Sequence, residues 1–65
     1  MKKVHNYVEF LNALDDDIKK IEIDEEFYEW LEESIDLIRT YGGKNDPVAT
    51  YGGMEIYVVK GGKRK

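Results

Sequence analysis

The sequence predicts a small α+β domain of order α-β-α-β-β, with two helices packed on a three-stranded sheet that contains a C-terminal β-hairpin. Three observations carry this reading. Apolar residues recur at helical spacing over 4–16 and again over 25–41. Lys20-Ile21-Glu22-Ile23, between them, alternates polar and apolar and is rich in β-branched side chains. Two further β-rich runs, 48–51 and 54–59, flank Gly52-Gly53.

The first helix is read from Val4, Val8, Leu11 and Ile18 on one stripe, with Tyr7 and Leu14 beside it. Asp15-Asp16-Asp17 opposes the dipole of a helix C-terminus, so the helix is expected to break there. The strand at 20–23 is expected to join one edge of the sheet, in a direction the sequence leaves open. Asp24 is a good N-cap, and Glu25 and Glu26 suit a first helical turn. Phe27, Leu31, Ile35 and Ile38 then step by four, four and three, with Trp30, Leu37 and Tyr41 widening the face. Gly42-Gly43 is the expected stop, because glycine adopts the left-handed conformation at little cost.

Asn45-Asp46-Pro47 reads as a turn. If Gly52 and Gly53 are the two loop residues, Tyr51 faces Met54, Thr50 faces Glu55, Ala49 faces Ile56 and Val48 faces Tyr57. Tyr51, Met54, Ala49, Ile56 and Val58 then suit the core. The opposite face carries Val48, Tyr57 and Val59 with Thr50 and Glu55, and is too apolar to be fully solvated. A helix or another chain should cover it. Residues 1–59 are expected to form one domain, and Lys60–Lys65 a flexible basic tail. Thr-Tyr-Gly-Gly at 40–43 and 50–53 is too closely spaced for a solenoid unit and reads as two stop signals.

Charge is distributed unevenly. Residues 15–36 hold 11 acidic side chains and two basic ones, a local charge of −9 in a chain of net charge −4. The bases lie at the ends, Lys2 and Lys3 at one and Lys60, Lys63, Arg64 and Lys65 at the other. With 65 residues, the chain buries only about 60% of its unfolded surface. No cysteine is present to add a disulfide or thiolate metal site, and His5 is the only histidine. A hydrophobic content of 42% still supports a packed core rather than disorder. The N-terminus lacks the apolar stretch of a signal peptide, and no apolar run reaches membrane length. A cytoplasmic protein that does not engage a membrane is expected.

The acidic residues Glu25, Glu29, Glu32, Glu33 and Asp36 lie opposite the apolar face of the second helix. Like-charge pairs four residues apart cost about 0.2–0.5 kcal/mol each. A solubilising face is the ordinary account of such a stripe. The functional account is a docking face for a basic protein partner, such as a nucleic-acid-binding protein, or a mimic of nucleic acid, since the charge spacing approximates that of a single strand.

Other constellations are weaker. Against a calcium-binding loop beginning at Asp15, Lys19 and Lys20 occupy the fifth and sixth positions, and the sixth needs glycine. Ser34 and His5 show no triad spacing. Gly43-Lys44 and Gly62-Lys63 lack the upstream glycine and the following Ser or Thr of a phosphate loop. The tail has no aromatic residue to stack on bases, and the net charge disfavours direct nucleic-acid binding. It can also fold back on the acidic helix.

The expectation is therefore a non-enzymatic interaction protein without cofactor or metal, an inhibitor that presents its acidic helix to a basic partner, of a kind frequent among phage and mobile-element products. The alternative is an assembly subunit that forms homo-oligomers through Val48, Tyr57 and Val59. A weak nucleic-acid binder using Lys60, Lys63, Arg64 and Lys65 comes third.

Overall fold

In the computed structural model, residues 1–40 and 46–59 are described. Two helices lie over a mixed five-stranded sheet, so the α+β class holds while the strand count rises from three to five. The order is β1 (Lys2–Lys3), α1 (Tyr7–Asp15), β2 (Lys20–Asp24), α2 (Glu25–Ser34), β3 (Ile38–Arg39), β4 (Ala49–Tyr51) and β5 (Met54–Val59). Across the sheet the strands run β1-β2-β5-β4-β3. β2 is parallel to both β1 and β5, whereas β4 is antiparallel to β5 and to β3. The strand expected at an edge, β2, is interior. Both crossovers, β1-α1-β2 and β2-α2 onward to β5, advance the same way across the sheet. Right-handed connections then set both helices on one face.

α1 is shorter than the expected 4–16. Asn6 caps it, its Oδ1 accepting from the Glu9 backbone N–H at 2.9 Å, while Glu9 Oε1 accepts from the His5 N–H at 2.8 Å. This is a near relative of the capping box and fixes the helix start. Val4 is left outside the helix and donates its N–H to the Glu22 carbonyl, where it is buried. The buried face is consequently Phe10 and Ala13, with Leu14 alongside. Val8, 67% exposed, and Leu11, 44% exposed, point outward and not into the core as the stripe predicted.

The break at the aspartates has a definite geometry. Asp16 is the C-cap and Asp17 takes the left-handed conformation, φ 57°. The Asp17 N–H donates to the Leu14 carbonyl and the Ile18 N–H to the Ala13 carbonyl, at 3.2 and 3.0 Å. That pair of bonds is a Schellman motif with aspartate in the position usually held by glycine.

α2 begins at Asp24, whose Oδ1 accepts from the Phe27 N–H at 3.0 Å. It ends at Ser34, not at 41: Ile35 is an extended C-cap, φ −137° and ψ 165°. Glu32 and Glu33 crowd its last turn, which has no basic residue to oppose the carbonyl dipole. Ile38 leaves the helix altogether and pairs with Thr50 in β3, 67% exposed. Tyr41, the Gly42-Gly43 stop, Asn45 of the expected turn and the tail Lys60–Lys65 lie outside the described residues.

The hairpin has three of the four predicted pairs, Tyr51 opposite Met54, Thr50 opposite Glu55 and Ala49 opposite Ile56, and the ladder stops before the fourth, Val48 with Tyr57. Gly52 and Gly53 have φ of 58° and 83°, the signature of a type I′ turn. Val48 precedes β4 but still donates its N–H to the Ile56 carbonyl at 2.8 Å. The core is one cluster. Ile21, Ile23, Ala49, Met54 and Ile56 line the inner sheet face under Phe10, Ala13 and Leu31, and every buried residue among those described is apolar. Tyr7 and Phe10 of α1 meet Trp30 and Phe27 of α2 edge-on, with ring centroids 5.3 and 6.3 Å apart, which ties the helices together. No helix among the described residues is long and apolar enough to cross a membrane.

Candidate docking groove on the second helix

The heptad-like spacing 25, 28, 29, 32 sets Glu25, Tyr28, Glu29 and Glu32 on the flank of α2 that borders the hairpin. There the helix and the sheet enclose a groove of about 260 Å³, with Val48 and Val58 completing its lining. Three acidic residues thus line it together with Tyr28 and two valines. The volume is below the ~300–1,000 Å³ of small-molecule sites, so the groove suits one or two side chains of a longer ligand.

The acidic residues named from sequence separate into two groups. Glu25, Glu29 and Glu32 share the groove. Glu33 is exposed on the solvent side of the helix, and Asp36 lies beyond the C-cap. The long regular ruler of five charges is therefore not carried by a single helix. Arg39 relieves the stripe from the sheet. It pairs with Ala49 in the sheet register, which turns its side chain toward the helix layer, and its guanidinium meets Glu32 at 2.6 Å. Among the described residues, Glu25 and Glu29 have no such cation.

The second candidate surface is the outer sheet face. Ile38, Thr50, Glu55 and Lys20 form one row across the strands, Tyr57, Glu22 and Lys3 a second. Among the described residues no helix covers either row, because both helices occupy the inner face. Val59 is exposed beside Asp24. Val48, assigned to this face from sequence, packs instead against the core and lines the groove. The Tyr57 hydroxyl donates to Glu55 Oε1 at 3.0 Å. That bond holds the phenol above its ordinary pKa, and partial desolvation and the carboxylate charges of Glu55 and Asp46 push the same way.

His5 sits on the chain between β1 and α1 and is exposed, while Ser34 is the last residue of α2. Among the described residues no three His, Asp or Glu side chains converge as a metal site would require. The aspartate run is accounted for by the end of α1. The basic residues Lys60, Lys63, Arg64 and Lys65 lie outside the described residues.

Tyr28 and Val58 were not singled out from sequence, and Val48 was assigned to the outer sheet face rather than to this groove. Tyr28 shares the spacing of the glutamates and was legible in principle. Val48 and Val58 join only because the hairpin is set against α2. No family model, curated protein or solved structure matches the chain.

Proposed function

We propose that this is a non-enzymatic interaction protein whose α2 groove docks a lysine- or arginine-rich segment of a protein partner, acting as an inhibitor of that segment. The observation that carries the reading is the combination of an acidic rim, Glu25, Glu29 and Glu32, with an apolar floor, Tyr28, Val48 and Val58. A face that is only solvated needs no floor, and neither does a mimic of a phosphate backbone. A basic side chain with a long aliphatic stem uses both parts: the stem lies on the valines and the head meets a carboxylate. Charge on the rim also accelerates encounter with a cationic partner. The test is a titration of the 15N-labelled protein with hexalysine at low ionic strength. The largest amide shifts should fall at Glu25, Tyr28, Glu29, Glu32, Val48 and Val58. Shifts spread evenly over all acidic residues would reject the groove.

A second reading is self-association through the outer sheet face, favoured by exposed Ile38 and Val59 on a face without a helix. Its charges are balanced, Lys20 opposite Glu55 and Lys3 opposite Glu22, so a second copy meets no net repulsion there. Sedimentation should then give a dimer that Tyr57→Asp or Val59→Asp shifts to monomer. A parent that stays monomeric at high micromolar concentration rejects this reading.

A further inference from the structure

The helix layer has a second exposed surface, on the flank of α2 that faces α1. Of the seven large hydrophobic residues exposed among those described, four stand together: Tyr7, Val8 and Leu11 on α1 and Trp30 on α2. Leu11 is four residues from Tyr7 and three from Val8, so the three are neighbours on one helix surface. The Tyr7 and Trp30 rings meet at 5.3 Å and bridge the two helices. We infer that this seam docks an amphipathic helix of a partner protein, one whose apolar stripe is flanked by lysine or arginine. The seam shares no residue with the groove.

The topology shapes the seam for a helix. α1 joins β1 to β2, and α2 joins β2 to β3. β4 is antiparallel to both β5 and β3, and β5 is parallel to β2, so β1, β2 and β3 all point one way. Both helices therefore run back against these strands, side by side and in the same direction. Two aligned helices leave a furrow between them in which a third can lie. With 9 and 10 residues they give a furrow about 14 Å long. That length accommodates partner anchors at i, i+3 or i+4 and i+7. The seam is also preorganised. Trp30 stacks on Phe27 at 6.0 Å and is still 46% exposed. A ring held before the partner arrives lowers the ordering cost of binding.

Charge selects the occupant. Glu26 precedes Trp30 by four residues, Glu33 follows it by three, and Asp15 follows Leu11 by four; all three acids are exposed. Neither helix carries a basic residue. A second copy docked here would set these carboxylates against their own kind. Nucleic acid and the anionic lipids of a membrane surface are repelled for the same reason. A helix with bases beside its apolar stripe matches both parts of the surface. Hexalysine, which has no apolar stripe, matches only the acids.

The test uses the full chain and a peptide of two Leu-Lys-Lys-Leu-Leu-Lys-Leu repeats. Trp30 is the chain's only tryptophan and the peptide has none, so indole emission reports on the seam. The peptide should move that emission to shorter wavelength, and its amide shifts should centre on Tyr7, Val8, Leu11 and Trp30. Hexalysine should leave the emission in place. Val8→Ser with Leu11→Ser, at two exposed positions, should weaken the peptide about tenfold while the circular dichroism of the parent is retained. Asp15→Asn with Glu33→Gln should weaken it about threefold at low salt and far less at 1 M, where the Debye length is about 3 Å. An unmoved Trp30 emission, or full peptide affinity after the two serine changes, would overturn the seam. Unchanged low-salt affinity after the two acid changes would overturn the basic character of the partner. Amide shifts confined to Glu25, Glu29, Val48 and Val58 would give the peptide to the groove and overturn the seam while leaving the docking reading standing. An emission shift that grows with the concentration of the parent alone would assign the seam to a second copy and overturn the basic helix.

Discussion

α1 and α2 are nearly the same length, start from an Asx cap and rest on the same face of the sheet. Their outward surfaces differ. α1 turns Val8 and Leu11 to solvent, whereas α2 turns Glu26, Glu29 and Glu33 outward beside Trp30; neither helix carries a basic residue. Their ends differ too. α1 is closed by the Asp16–Ile18 Schellman turn, while α2 simply becomes extended at Ile35; acidic residues stand at both C-termini, Asp15 and Asp16 on α1 and Glu32 and Glu33 on α2. α1 is stabilised locally at both ends. Both helices end against their dipoles; α1 closes with its Schellman bonds, whereas α2 is held by the Asp24 cap, by Phe27 and Leu31 in the core, and by Arg39 reaching over from β3.

The largest expected effects test whether packing holds both helices equally. Phe10→Ala should cost about 3–5 kcal/mol and Leu31→Ala about 2–5 kcal/mol in denaturant titration. Either would take most of the stability of so small a domain. A variant as stable as the parent would mean that its helix is not anchored where the structure places it.

Caps come next. Asn6→Ala and Asp24→Ala should each cost about 0.5–2 kcal/mol. The Asp24 loss should shrink at high salt, because a charged cap also interacts with the helix dipole, whereas the Asn6 loss should not. Equal salt dependence would remove the electrostatic distinction between the two helices.

Asp17→Gly should raise stability by up to about 1 kcal/mol, since glycine adopts φ 57° without the cost an L side chain incurs. A loss on this change would mean that the Asp17 side chain contributes more than its backbone costs.

The smallest effect is alkaline. The folded pKa of Tyr57 is raised above its unfolded value, so its contribution is complete below about pH 10, the unfolded value, and is lost as pH rises through the folded pKa. Tyr57→Phe should flatten the stability profile in that window and leave it unchanged at neutral pH apart from the lost hydroxyl bond.

The hairpin was legible because its determinants are local: Gly52-Gly53 sets the turn, and the strict period of two sets the faces. β1 and β3 were not, since two-residue edge strands carry no pattern of their own and exist only because β2 and β4 offer them partners. The face of α1 was misread by starting the helix at Val4. Asn6 and Glu9 mark the true start, and once the helix begins there Phe10 and Ala13 fall inward. For α2 the steps to Ile35 and Ile38 suggested continuation, while the glutamates at 32 and 33 and the β-branched isoleucines after them favoured an earlier end. The acidic half of the groove was visible in the sequence. Its floor was not, because Val48 and Val58 meet Tyr28 only through the packing of the hairpin against the helix.

The central claim is that the groove, and not the overall negative charge, binds a basic segment. Charge reversal at two positions of α2 separates these. Glu29 is on the rim of the groove, whereas Glu26 is exposed on the same helix and outside it. Glu29→Lys and Glu26→Lys change the net charge by the same amount. Hexalysine affinity, measured by calorimetry or NMR titration at low salt, should fall at least tenfold in Glu29→Lys and by no more than about threefold in Glu26→Lys, the residual effect of the shared field. Equal losses in the two variants would show that binding follows net charge alone and would contradict the account.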